Sequence, residues 1–386
     1  MRPHPARPRH PAPPERVRSR RAMTLQWHVT DRCNLRCSHC YQDSYVGEEM
    51  DLGDLLGVIG QFKELLSLPM FSRCGPPGRG HVNVTGGEPL VRGDLLDLLA
   101  ALHREKGWLT YGLLTNGTRV DERTATELAA LEPQMVQVSV EGTPATHDAI
   151  RGRGSHELAM RAIRHLSDSG IFTIVSFTAH RRNFREFPEV AKRAVRAGAS
   201  KVWTDRLVPI GGGEGMAHLL LTQEETREFF GIVKRTRRRL ERSPGGPVVP
   251  MDRGLQFLVG GGMPYRCSAG DTMLTVMPGG EVLPCRRLPV RVGDVREASL
   301  RHIYEDNALL GALRDRDRVP GGCEGCNFSR TCGGGARCQS YATTGDPFRS
   351  DPGCWLAGEG PLFACDCLER VEQDTIIASA DLDEGG

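Results

Sequence analysis

Cys33, Cys37 and Cys40 stand four and three residues apart in the segment Cys33-Asn34-Leu35-Arg36-Cys37-Ser38-His39-Cys40. One loop with this spacing can wrap a single metal centre. Thiolates are soft ligands that select zinc or iron–sulfur clusters. A closed structural zinc site or a plain electron-transfer cluster takes four protein ligands. Three thiolates on a cubic cluster leave one iron open to another ligand. The alternative is a zinc loop completed by His28 or His39. A second cysteine field lies downstream, at Cys267, Cys285, Cys323, Cys326, Cys332, Cys338 and Cys354. Its Cys323-x2-Cys326 pair, taken alone, also suits a zinc ribbon. Between the two fields, His81–Thr85 reads as a strand running into Gly86, Gly87, Glu88 and Pro89. The glycines allow the backbone to approach a ligand closely, and the proline fixes the exit. Taken alone, Gly-Gly-Glu-Pro also suits an ordinary turn.

These residues need a frame. From Leu25 to about Asp205, strand-like and helix-like stretches alternate. The predicted strands are Leu25–Thr30, His81–Thr85, Leu109–Leu114, Met135–Val140, Phe172–Thr178 and Lys201–Asp205. The predicted helices fall near 51–68, 91–105, 121–131, 156–169 and 184–197. Six βα units argue for an α/β fold with a parallel sheet and helices packed outside it. In such folds chemistry gathers at the C-terminal ends of strands, and the cysteine loop follows the first strand. Thr115-Asn116-Gly117-Thr118 ends the third predicted strand, and Ser139-Val140-Glu141-Gly142 ends the fourth.

Residues 211–261 read as a bridge, with Gly211-Gly212-Gly213 as a flexible joint. Lys234–Arg239 is a basic run on a predicted helix over Leu221–Leu240. It is a solvated face or a contact for an acidic peptide. Residues 262–358 are dense in Cys and Gly, which suggests a small domain held by metal rather than by a large apolar core. Residues 1–22 form a Pro- and Arg-rich stretch without the apolar segment of a secretory signal. It is a disordered tail, or an extended start before a true first residue at Met23. Residues 359–386 read as a C-terminal tail.

At 386 residues, the chain has room for two or three domains with sizeable cores. A formal net charge of +2 gives no sign of nucleic-acid binding. No apolar run reaches the ~20 residues of a membrane helix. The 13 cysteines cluster in close pairs and triplets, as metal ligands do, which points to a reducing, cytoplasmic setting.

Cys33-x3-Cys37-x2-Cys40 and Tyr41, after a short apolar strand, resemble the signature of radical S-adenosylmethionine (radical SAM) enzymes. The resemblance implies a partial (β/α)6 barrel over 23–210. It implies a [4Fe–4S] cluster on Cys33, Cys37 and Cys40 whose open iron binds SAM. One electron then cleaves SAM to methionine and a 5′-deoxyadenosyl radical that removes a substrate hydrogen. A reductant such as flavodoxin or ferredoxin is the expected electron source. Gly86, Gly87 and Glu88 match the motif that contacts the methionyl amino group. Asn116 and Ser139 match positions that help hold the ribose and carboxylate. Glu141 stands where the family more often has Asp. Arg151 matches an arginine that pairs with the SAM carboxylate, and its alternative is a surface salt bridge.

The downstream order is Cys267, Gly280-x4-Cys285, Cys323-x2-Cys326-x5-Cys332 and a last Cys354. It resembles the SPASM domain, a small cysteine-rich iron–sulfur domain that carries auxiliary clusters in radical SAM enzymes modifying peptides and proteins. The resemblance implies an outer cluster on Cys323, Cys326, Cys332 and Cys354, and an inner one with Cys267 and Cys285. Many SPASM domains have a cysteine where Ala336 stands. The stretch Cys332–Cys354 is locally similar to PQQ and mycofactocin maturases, which makes Cys338 the third inner ligand. The fourth is open: Cys365, Cys367, a polar side chain or none. Cys74 has no assigned role. The sulfatase-activating branch has an acidic base directly after the Cys285 position. Here Arg286 and Arg287 follow, so no acid/base residue is identified.

The expected function is modification of a small, ribosomally made precursor peptide at an unactivated C–H position, with a separate peptide-binding protein as a further partner. The same machinery acting on a tetrapyrrole or other cofactor precursor is the alternative. A zinc-stapled binding protein is the remote one.

Overall fold

The structure is a computed structural model that describes residues 22–72, 80–242 and 247–357. Residues 1–21 of the expected tail over 1–22, the expected tail at 359–386, and Cys74, Cys365 and Cys367 lie outside the described residues.

Six parallel strands follow one another: β1 (Thr24–His28), β2 (Gly80–Thr85), β3 (Leu109–Thr115), β4 (Met135–Ser139), β5 (Thr173–Ala179) and β6 (Lys201–Arg206). The helices between them are α1 (Leu52–Leu66), the short α2 (Pro69–Ser72), α3 (Leu95–Arg104), α4 (Glu122–Ala130), α5 (Pro144–Arg151), α6 (Ser155–Asp168) and α7 (Phe187–Arg196). After β6 comes α8 (Gln223–Glu241), which starts with a reciprocal Thr222–Glu225 capping box. The Lys234–Arg239 run lies on α8. There Arg235, Arg238 and Arg239 are exposed, Thr236 is buried, and Arg237 pairs with Glu241 at 2.7 Å.

The strands alternate although the sheet is parallel. Leu25 and Trp27, Val82 and Val84, Val136 and Val138, and Val202 are buried, and the residues between them are less so. A parallel sheet covered on both faces reads as near-continuous apolar runs. Here Gln26, His81, Asn83, Gln137, Ser139, Trp203 and Asp205 line a cavity instead.

The sheet does not stop at six strands. β7 (Met273–Val276) pairs with the free side of β1 in parallel, with Thr24 opposite Met273 and Trp27 opposite Val276. β8 (Glu281–Leu283) and β9 (Gly293–Asp294) continue it antiparallel. The full order is β6-β5-β4-β3-β2-β1-β7-β8-β9. The expectation of a C-terminal region without a large apolar core is therefore corrected. Leu274, Val276, Leu300, Ile303, Tyr304, Leu310 and Leu313 belong to the same buried cluster as Leu25 and Trp27. β7 carries the early part of that region into the main core.

The expected joint at Gly211–Gly213 is also different. These residues begin a 3-10 helix, Gly211–Leu219, pressed against the cysteine loop. A Cβ on Gly211 would collide with the Tyr41 carbonyl oxygen, and one on Gly213 would stand 3.1 Å from the His39 carbonyl oxygen. Here the glycines serve close backbone packing, not hinge motion.

Candidate functional site

The cysteine loop is held from several sides. Arg92 Nη1 donates to the Val29 carbonyl at 2.7 Å, at the end of β1. Ser38 N donates to the Ile150 carbonyl at 2.9 Å, tying the loop to α5. Asn34 Nδ2 donates to Thr118 Oγ1 at 2.8 Å, and Asn116 Nδ2 donates to Asn34 Oδ1 at 3.0 Å. Arg286 Nη2 donates to the Tyr41 carbonyl at 2.9 Å. Gly87 N and Glu88 N donate to the Thr30 and Arg32 carbonyls at 2.8 and 2.9 Å. Cβ atoms on Gly86 and Gly87 would strike those same carbonyls. The two glycines thus let the turn after β2 dock against the start of the cysteine loop.

A cavity of about 420 Å³ opens beside this loop. Cys33, Cys37, Cys40, Gly86, Gly87, Asn116, Ser139 and Arg151 all line it. Glu88 does not. It is fully buried, with Oε1 accepting from Thr115 Oγ1 at 2.7 Å and Oε2 accepting from Asn116 N at 2.7 Å. Burial raises its pKa against the pull of these hydrogen bonds. Its carboxyl spans the ends of β2 and β3 instead of facing the cavity.

Arg151 sits in the last turn of α5, a helix that the sequence pattern missed. Its Nη2 and Nε donate to Glu141 Oε1 at 2.6 and 3.1 Å, and Nη1 lies 3.8 Å from Cys37 Sγ. Glu141 also accepts from Thr178 N at 2.8 Å and lies 3.3 Å from His39 Nε2. Burial alone would raise the Glu141 pKa. The Arg151 guanidinium and His39 outweigh it and hold the carboxyl well below the usual carboxylate range. Arg151 is therefore a partly buried partner of the buried Glu141, not a surface salt bridge.

The later cysteines separate into two groups. Cys267, Cys285 and Cys338 line the same main cavity as the first loop. Cys323, Cys326, Cys332 and Cys354 line a second, small pocket walled by Leu255, Phe257 and Phe328. The structure thus brings together the same groups that the spacing resemblance separates. All ten described cysteines are free thiols. Burial and neighbouring thiols push Cys323 up to about 12, burial pushes Cys332 up to about 12, and burial pushes Cys354 up to about 11. Crowded, partly desolvated thiols of this kind ionise readily only beside a cation, which iron supplies. Among the described residues, no three His, Cys, Asp or Glu side chains converge as a single metal ion requires. The thiols line the walls of shared spaces instead, which fits clusters in which each thiolate holds a different iron.

Several cavity residues were not found from sequence. Asp205 and Arg287 pair at 2.7 Å, and Trp203, Arg253 and Tyr265 stand nearby. Burial opposes ionisation of Asp205, but Arg287 and Arg253 hold its pKa below the usual value. The one available signal was the alternation of β6, which puts Lys201, Trp203 and Asp205 on one face.

Residues 27–194 match the family model described as the radical SAM superfamily, and 267–327 match the SPASM iron–sulfur cluster-binding domain. The chain is 28% identical over 355 residues to an AdoMet-dependent heme synthase of Nitratidesulfovibrio vulgaris, covering 86% of this chain and 91% of that protein. It is 28% identical to a PqqA peptide cyclase of Rhizobium meliloti, covering 86% of each. It is 29% identical to the mycofactocin maturase MftC of Mycobacterium tuberculosis, covering 88% of this chain and 84% of that one. The solved structure of anSMEcpe with bound AdoMet shares the fold, with TM-score 0.69, 18% identity, and 93% and 95% of the two chains covered. Among the described residues, no helix is long and apolar enough to cross a membrane.

Proposed function

We propose, from the premise that this chain belongs to the radical SAM superfamily and carries a SPASM domain, that it modifies a ribosomally made peptide at an unactivated C–H position. The observation that carries this reading is one cavity lined both by Cys33, Cys37 and Cys40 and by Cys267, Cys285 and Cys338. Cys33, Cys37 and Cys40 hold a [4Fe–4S] cluster with one iron open. Bound there, the cluster and SAM supply a carbon radical able to take hydrogen from a C–H bond. Gly86 and Gly87 offer backbone to SAM, and Asn116 and Ser139 offer side chains. Arg151, clamped by Glu141, fixes a positive charge beside Cys37. Cys323, Cys326, Cys332 and Cys354 hold an outer cluster, and Cys267, Cys285 and Cys338 hold an inner one facing the substrate. A flavodoxin or ferredoxin supplies the electron, and a separate protein presents the peptide.

The peptide reading is supported by the likeness to the PqqA peptide cyclase and MftC. A second reading, modification of a tetrapyrrole, is supported by the likeness to AdoMet-dependent heme synthases, which stand first among the relatives. The test uses protein reconstituted without oxygen, with dithionite and SAM. Wild type forms 5′-deoxyadenosine, and Cys33→Ala/Cys37→Ala/Cys40→Ala forms none. Product in neither, from wild type with full iron and sulfide, rejects the radical reading. Stimulation by a short peptide encoded beside the gene favours the first substrate class, and stimulation by an iron porphyrin the second.

A further inference from the structure

Of the arginines that line the cavity, Arg253 is the one without an ionic partner among the described residues. Arg151 is held by Glu141, Arg206 by Asp351, and Arg287 by Asp205. The Arg253 guanidinium forms no hydrogen bond or ion pair with any described residue, and its Nε is sealed from solvent without an acceptor. Two aromatic rings hold it instead. Its guanidinium carbon lies 5.0 Å from the Trp203 ring centroid and 5.8 Å from that of Tyr265. Its backbone is fixed as well, because Arg253 N donates to Gln256 Oε1 at 3.1 Å.

A guanidinium cannot shed its proton in a protein, so the charge persists. The Arg253 Nε hydrogen, sealed from water, lacks an acceptor, which is costly in general. The aromatic faces attract the cation but do not replace a hydrogen-bond acceptor for that N–H. The remaining demand is for an anion. Asp205 is committed to Arg287 by its ion pair and, like Asp252, acts on Arg253 only as a nearby charge beyond ion-pair distance. The same two acids make the neighbourhood hostile to a doubly charged anion such as a phosphate. A planar carboxylate with a single charge matches the guanidinium fork and limits that repulsion.

We propose that Arg253 is the anchor for a carboxylate of the substrate, gripped between β6 and the inner cysteines on the cavity that also holds Cys33, Cys37 and Cys40. This rests on the reading that the cavity is where substrate is modified. A peptide supplies the acid from its C terminus or an acidic side chain, and a tetrapyrrole supplies it from a propionate arm.

Binding to the anaerobically reconstituted, SAM-loaded protein tests this. One arm compares coproporphyrin III with its tetramethyl ester. The other passes randomised hexapeptides, as free acids and as amidated neutral forms, over immobilised protein and reads the retained fraction by mass spectrometry. Wild type prefers the acid in one arm by roughly 10- to 100-fold, the worth of a charge-assisted hydrogen-bond pair, and that arm identifies the source. Arg253→Gln brings the ratio near one, and Arg253→Lys recovers part of it. Iron content equal to wild type shows that each variant is folded. No acid preference in either arm of the wild type, or a preference that survives Arg253→Gln, overturns the anchor. Wild-type 5′-deoxyadenosine formation in the same preparation, without any probe, separates the two failures. If product forms but acid preference is absent, only the anchor fails. If no product forms, the radical reading fails.

Discussion

The cysteine loop after β1 and the cysteine cluster of residues 323–354 solve opposite problems with the same side chain. The first presents three thiols to an open cavity and is fastened by protein alone: Val29 to Arg92, Ser38 to Ile150, Asn34 to Asn116 and Thr118, and Tyr41 to Arg286. The second gathers four thiols, three of them partly exposed, beside Leu255, Phe257 and Phe328, in a segment whose regular structure is two short helices, Ser329–Cys332 and Arg337–Thr344. A reactive centre needs access, so its support must come from the surrounding fold. A four-thiol centre, which leaves no iron open, can itself be the support. The difference teaches that cysteine count is a weaker guide to role than what holds the cysteines in place.

Removing metal ligands gives the largest contrast. Cys323→Ala/Cys326→Ala is expected to lower Tm by roughly 10 °C or more, because cluster binding and folding are linked there. Cys33→Ala/Cys37→Ala/Cys40→Ala is expected to shift Tm by no more than about 3 °C. Thermal melts under argon check both, and equal shifts would break the comparison.

Asp351 joins the second region to the sheet. It is fully buried, accepts from Arg206 Nη1 at 2.9 Å, and also accepts from Ala336 N and Gly353 N. Asp351→Asn leaves Arg206 buried without its counter-charge and is expected to cost about 3 kcal/mol. Denaturant unfolding measures this. A loss below about 1 kcal/mol would mean that the clusters, not the pair, set the docking.

The smallest effect concerns the first region in acid. His147 is buried in α5, and its Nδ1 accepts from Glu141 N at 3.1 Å, which requires an unprotonated nitrogen. Burial, with Arg151 second, lowers its pKa to about 3. The unfolded chain therefore binds the proton first. Stability from this group is full above about 6.5 and falls as pH drops toward the folded value, by about 2 kcal/mol at pH 5. His147→Gln can still accept that hydrogen bond, so its Tm should fall less steeply between pH 6.5 and 5. Parallel slopes for wild type and variant would sink the idea.

Much of the barrel was legible locally. All six strands and the five expected helices fall within a few residues of their expected positions, because alternation and helical periodicity are short-range signals. α5 was missed. Its eight residues bury only His147 and Ile150, so the apolar period is faint, although Pro144 at its start was a usable signal. β7 was missed for another reason. Four residues in a cysteine-rich stretch say nothing about a partner strand that lies about 250 positions earlier.

The sequence by itself determined the ligand chemistry: which thiols group by spacing, and that the first loop offers three. It also determined the strand periodicity that gives a polar interior, since side-chain direction is set by neighbours one and two residues away. Only the tertiary structure decided that β7 docks on β1, that the inner cysteines share the first loop's cavity, that Glu88 turns away from it, and that Arg253, alone among the arginines lining it, makes no ion pair among the described residues. Charge pairing depends on distance in space, and distances between β6, the Arg253 loop and the later cysteines exist only once the chain has closed around the cavity.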